Sequence, residues 1–119
     1  MLVIKNLNAI PRAPLGGRGE VIPLVDTETG SRQVDVHVNI LRAGAAGGPY
    51  HFHPRSENIY IVLAGSGRFV ADGQEYLLQK DDMVFIPPGV RHSLSASADS
   101  GLTLIEIFAP APVETVFLD

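Results

Sequence analysis

Tyr50-His51-Phe52-His53-Pro54-Arg55-Ser56-Glu57-Asn58-Ile59-Tyr60-Ile61-Val62-Leu63-Ala64 is the stretch whose reading decides the fold. Side chains of an extended chain alternate between faces, so His51 and His53 share one face and Phe52 takes the other. Two imidazoles so placed can grip one metal ion. Residues 58–64 are apolar on both faces. Such a strand asks for cover twice, from the domain's own core on one side and from a partner subunit on the other. A third histidine, His92, follows the turn Pro87-Pro88-Gly89.

The surrounding chain has the same character. Its 12 Gly and 9 Pro are spread so evenly that no window sustains a helical period. Short Val/Ile/Leu/Phe runs between turn residues predict about ten strands of an all-β barrel or sandwich. Strands are expected at 2–5, 20–25 and 34–40. On the last, Val34, Val36, Val38 and Ile40 form one face, and Asp35, His37 and Asn39 the other. Gly65-Ser66-Gly67 is expected to turn the chain into 68–71, and Asp72-Gly73 is a hairpin signal because Gly accepts positive φ. Further strands are expected at 83–86, 91–95 and 102–108, with 113–118 packed against the outside.

At 119 residues the chain is expected to be one domain, 1–119, and 45% hydrophobic residues are enough for a core. A net charge of −4 without any run of Lys or Arg argues against a nucleic-acid partner. With no cysteine, disulfides, thiolate nucleophiles and Cys-based zinc sites are excluded. No apolar run approaches the roughly 18 residues of a membrane span, and the opening residues are too short for a signal-peptide core. A cytoplasmic protein with no membrane partner is the expectation.

Two segments carry a family resemblance. Residues 48–65, with His51-Phe-His53 and a closing Gly65, resemble the first motif of the cupin superfamily: Gly, His-x-His, a short spacer, Glu, six residues, Gly. Residues 81–96, with Pro87-Pro-Gly89-Val-Arg-His92, resemble its second motif. The resemblance implies a small single-domain cupin, a jelly-roll-like β-barrel of two antiparallel sheets. It also implies one divalent metal ion (Zn, Fe, Ni, Mn or Cu) held by His51, His53 and His92. Three departures stand out. The Glu position is occupied by Asn58, with Glu57 one residue earlier; Asp81 replaces a Gly, and Ala96 an Asn. A one-residue shift flips a strand residue to the other face, so Asn58 and Glu57 exclude each other as fourth ligand. Asn58 is favoured, with Glu57 at the surface as the alternative.

Three neutral imidazoles and a neutral amide would leave the ion's charge uncompensated and attract an anionic oxygen. The expected ligand is a small, oxygen-rich or carboxylate-bearing molecule. By resemblance the chemistry would be that of a dioxygenase, isomerase or lyase; a non-catalytic sugar- or acid-binding module is the alternative. An enzyme needs an acid–base group beside the metal, for which His37 and Tyr60 are the candidates, or Glu57 if it points inward. Arg42, Arg91 and Arg55 are candidates for holding a carboxylate. A homodimer is expected.

Overall fold

The computed structural model describes residues 1–118. Its strands are β1 (Ala13–Pro14), β2 (Gly19–Val25), β3 (Asp35–Leu41), β4 (His51–Phe52), β5 (Glu57–Ala71), β6 (Gln74–Gln79), β7 (Met83–Ile86), β8 (His92–Ala96), β9 (Leu102–Ala109) and β10 (Val116–Phe117). All pair antiparallel. One sheet runs β1-β2-β3-β9-β5-β7, the other β6-β5-β8-β4-β10. This is the expected all-β jelly-roll barrel, with β5 belonging to both sheets.

The expected turn at Gly65-Ser66-Gly67 does not form. β5 runs on for 15 residues, pairing β9 and β7 with its first half and β6 and β8 with its second. Gly65 takes φ +78°, and a Cβ there would collide with the Gly101 carbonyl. The register slips between Val62 and Ala64 at the same place. A glycine is thus used to bend a strand from one sheet into the other, where its composition suggested a stop. The Asp72-Gly73 hairpin forms as expected, with φ +49° and +79°. Residues 2–5 form no strand. Leu2 and Ile4 are exposed, and the first regular element is a 3-10 turn, Leu7–Ala9, whose first residue follows the capping side chain of Asn6.

The register explains where the core ends and a polar layer begins. Inward-facing rows run across β3, β9 and β5. Leu41 lies beside Leu102, Asn39 beside Leu104 and Val62, His37 beside Glu106 and Tyr60, and Asp35 beside Phe108 and Asn58. Leu102, Leu104, Val62 and Leu41, joined by Phe69, Leu78, Ile86 and Leu94, fill one end of the barrel with apolar side chains. At the other end the same strands present His37, Asn39, Asn58 and Glu106. The polar face of β3 is therefore interior, and Val36, Val38 and Ile40 lie on the outer face of the sheet. On that outer face Ile61, Leu63, Met83 and Phe85 remain exposed, which is the second apolar face expected of residues 58–64.

Candidate metal centre and its cavity

A cavity of about 420 Å³ opens at the polar end, with walls that include His37, Asn39, His51, His53, Tyr60 and Glu106. His51 is placed by β4, His53 by the bend after it, and His92 by the start of β8, which pairs directly with His51. The three rings pack with centroids 4.4 Å (His51–His92), 5.0 Å (His51–His53) and 5.3 Å (His53–His92) apart. Each offers a ring nitrogen within 4.8 Å of the others, a spread that small ring rotations close onto one ion.

The backbone settles which nitrogen is free. Nδ1 of His51 faces the Pro49 carbonyl at 2.7 Å, Nδ1 of His92 the Val90 carbonyl at 2.9 Å, and Nδ1 of His53 the Glu114 carbonyl at 3.2 Å. A carbonyl only accepts, so each Nδ1 carries the proton and donates. Each Nε2 is left with a lone pair. Nε2 of His53 and of His92 is buried without a partner. Burial first, and then the neighbouring imidazoles, push the His92 pKa down to about 4; the Val90 carbonyl only partly offsets this. Burial likewise lowers that of His53. Unprotonated, partnerless imidazole nitrogens are what a divalent ion requires.

Asn58 is fully buried and Glu57 exposed, as the alternation requires. Asn58 Nδ2 donates to Glu106 Oε2 and to the Ile107 carbonyl, both at 3.1 Å. Two acceptors on one side fix the amide's orientation, because Oδ1 could not face either of them. Oδ1 is buried and partnerless, like the two Nε2 atoms. The three imidazoles fit a divalent ion, and the amide oxygen of Asn58 is a further buried oxygen donor without a partner.

Glu106 is the residue that sequence reading missed. It is 9% exposed, and its carboxylate accepts from His37 Nε2 (2.8 Å), Asn39 Nδ2 (2.8 Å) and Asn58 Nδ2 (3.1 Å). Burial opposes its charge, but the hydrogen bond and charge of His37, with those of the two amides, outweigh burial and lower its pKa. His37 is the mirror image. Burial opposes protonation, yet Glu106 and then Asp35, whose Oδ1 lies 2.9 Å from Nδ1, raise its pKa above 6.5. The expectation of a metal environment without any compensating carboxylate is thereby corrected: one stands directly behind Asn58. The available signal was parity, since Glu106 falls in phase with Leu102, Leu104 and Phe108 on β9.

Tyr60 lines the same cavity, its ring edge-on to Phe69 at 5.8 Å. Burial and the nearby Glu106 charge hold its hydroxyl well above the usual pKa, so it stays protonated. The arginine candidates are corrected. Arg42 is exposed and bonds the Gly17 carbonyl, Arg91 is exposed, and Arg55 is exposed beside Glu114; none lines the cavity. Short and irregular segments around them, not strand alternation, decide where these side chains go. The tail joins the second sheet, although Val116 and Phe117 stay exposed. β10 pairs with β4, and Phe117 packs 6.0 Å from the His51 ring at the cavity edge.

Comparison with known proteins fits this geometry. The chain is 33% identical over 67 residues to a mannose-1-phosphate guanylyltransferase from Klebsiella pneumoniae, a match covering 56% of this chain and 14% of that one. The chain therefore spans about a seventh of the length of the curated relatives it matches first. It superposes with a TM-score of 0.82 on the polyketide cyclase RemF from Streptomyces resistomycificus (21% identity; 100% of this chain, 88% of that one). An uncharacterized conserved protein with a double-stranded β-helix domain from Klebsiella pneumoniae gives 0.80 (17% identity; 100% and 99%). Both structural likenesses speak to fold. The family described as the cupin domain matches residues 37–108, which take in all three histidines, Asn58 and Glu106, and the chain belongs to that family.

Proposed function

We propose that this chain is a metal-dependent enzyme that moves a proton on a small, oxygen-rich, carboxylate-bearing molecule, chemistry of the isomerase or lyase type. Nε2 of His51, His53 and His92 with Oδ1 of Asn58 would hold one divalent ion drawn from Zn, Fe, Ni, Mn and Cu. When bound, such an ion supplies Lewis acidity toward substrate oxygens. The observation that carries the reading is that the cavity walled by His51 and His53 is also walled by His37 and Glu106, two members of a connected acid–base chain, Asp35–His37–Glu106. An imidazole between two carboxylates can accept a proton at one nitrogen while donating from the other. Asp35 is partly open to solvent and Glu106 sits in the cavity wall, so the chain connects bulk water to the reacting side. Tyr60, held neutral, adds a donor.

The test is hydrogen exchange. Protein loaded with each metal in turn is incubated with small 2-hydroxy and 2-oxo acids in D2O and followed by NMR. Metal-dependent deuterium uptake or product formation is expected, slowed about 100-fold or more in His37→Gln. Saturable binding without exchange or turnover would instead support a non-catalytic binding module.

We also propose that the chain works as a homodimer joined through the outer face of the first sheet, where Ile61, Leu63, Met83 and Phe85 are exposed together. Sedimentation should find twice the 12.7 kDa chain mass. Ile61→Lys should shift it to the single chain; a monomeric wild type would refute the dimer.

A further inference from the structure

The cavity is asymmetric in charge. Arg18, from the irregular segment before β2, is the only Arg or Lys among the described residues that line it. The guanidinium reaches across the barrel, and Nη2 donates to the Leu94 carbonyl at 3.0 Å. That single bond leaves Nε buried and without a partner. The wall opposite is shaped for it. Gly48 lies flat against the guanidinium, and a Cβ at that position would come within 2.9 Å of Nη2. The charge is felt inside the cavity, where it counteracts the rise in the Tyr60 pKa. Holding a guanidinium in a recess with a donor unpaired is unfavourable unless a ligand completes it. A planar fork of N–H donors is best completed by a carboxylate.

We propose that Arg18 is a second anionic anchor, so that the cavity takes a dianionic small acid with one carboxylate at the imidazole cluster and the other on Arg18. This rests on the metal-site reading above and adds the substrate class. Gly48 is then required for the anchor's placement, and neither Arg42 nor Arg91 takes part.

The test compares malonate, succinate and glutarate with the monoacids of equal chain length, propionate, butyrate and valerate. Binding is measured by calorimetry to metal-loaded and metal-free protein whose metal content is assayed separately. At least one diacid should bind about 10- to 100-fold more tightly than its monoacid. That advantage should vanish in Arg18→Gln and be partly kept in Arg18→Lys, whose circular dichroism and melting report on the Leu94 contact. Equal affinity of diacid and monoacid in the wild type, or an advantage that survives Arg18→Gln, overturns the anchor. If no metal binds at all, the metal-site reading fails. The Arg18 dependence of diacid binding to the metal-free protein then still decides the anchor.

Discussion

His92→Ala is expected to abolish stoichiometric metal binding. Losing an outer partner of a ligand costs about 10–100-fold in affinity, and removing one of three imidazole donors should exceed that. In the wild type, saturating metal should stabilise the fold, by about 2.7 kcal/mol at a hundredfold excess over Kd, whereas the variant's melting should be insensitive to metal. The pair of measurements separates ligation from packing, since His92 is also fully buried. A variant that keeps near-stoichiometric metal would sink the site.

The same side chain sets an acid limit on the metal-free protein. Its pKa is about 4 in the folded state against 6.5 ordinarily. Between those values the unfolded chain binds the proton and the folded one does not. His92 therefore costs no stability above pH 6.5 and an increasing amount as pH falls toward 4. In His92→Ala this part of the acid sensitivity should be missing.

Glu106→Gln should have the second large effect, and it should be seen in three places. Removing one member of a buried, hydrogen-bonded charge pair costs about 3–5 kcal/mol, so the chemical denaturation midpoint should fall sharply. The His37 titration, followed by NMR, should move down, because Glu106 is the larger of the two influences that raise it. Metal affinity should drop about 10–100-fold, because Asn58 loses the charged one of the two acceptors that orient its amide. The pH signature has a definite sign. The stability from His37 is complete below pH 6.5 and is lost as pH rises through its elevated pKa. That from Glu106 is present above 4.5 and is lost as pH falls through its lowered one. The wild type should thus draw most from this pair between pH 4.5 and 6.5, and the variant should lack that maximum. An unchanged His37 titration together with unchanged metal affinity would remove Glu106 from the account.

The two variants probe residues of unequal visibility. His51, His53 and His92 were legible because each sits in a short segment punctuated by Gly or Pro, where spacing along the chain fixes position in space. That Asn58 rather than Glu57 faces the interior was legible for a simpler reason: the period of a strand is two, so one of two neighbours must point outward. Here it is Glu57. The same period marked His37 and Asn39 as one face of β3 but could not say which face looks inward. Alternation left both faces open, and the fold turns His37 and Asn39 inward with Val36 and Val38 on the outer side of the sheet.

What the sequence by itself determined is the alternation, the turns at Asp72-Gly73 and Pro87-Pro88-Gly89, and the two histidine-bearing segments. From these follow an all-β barrel and three convergent imidazoles. The tertiary structure alone decided that Gly65 bends β5 instead of ending it, and that β10 returns to the edge of the cavity. It alone brought Glu106 behind Asn58 and Arg18 against Gly48. Each of these joins residues far apart in the chain, through register across β3, β9 and β5 or through an irregular segment with no period. Local spacing constrains neighbours along a strand; which distant strand lies alongside, and hence which charge faces which, is settled only when the sheets close.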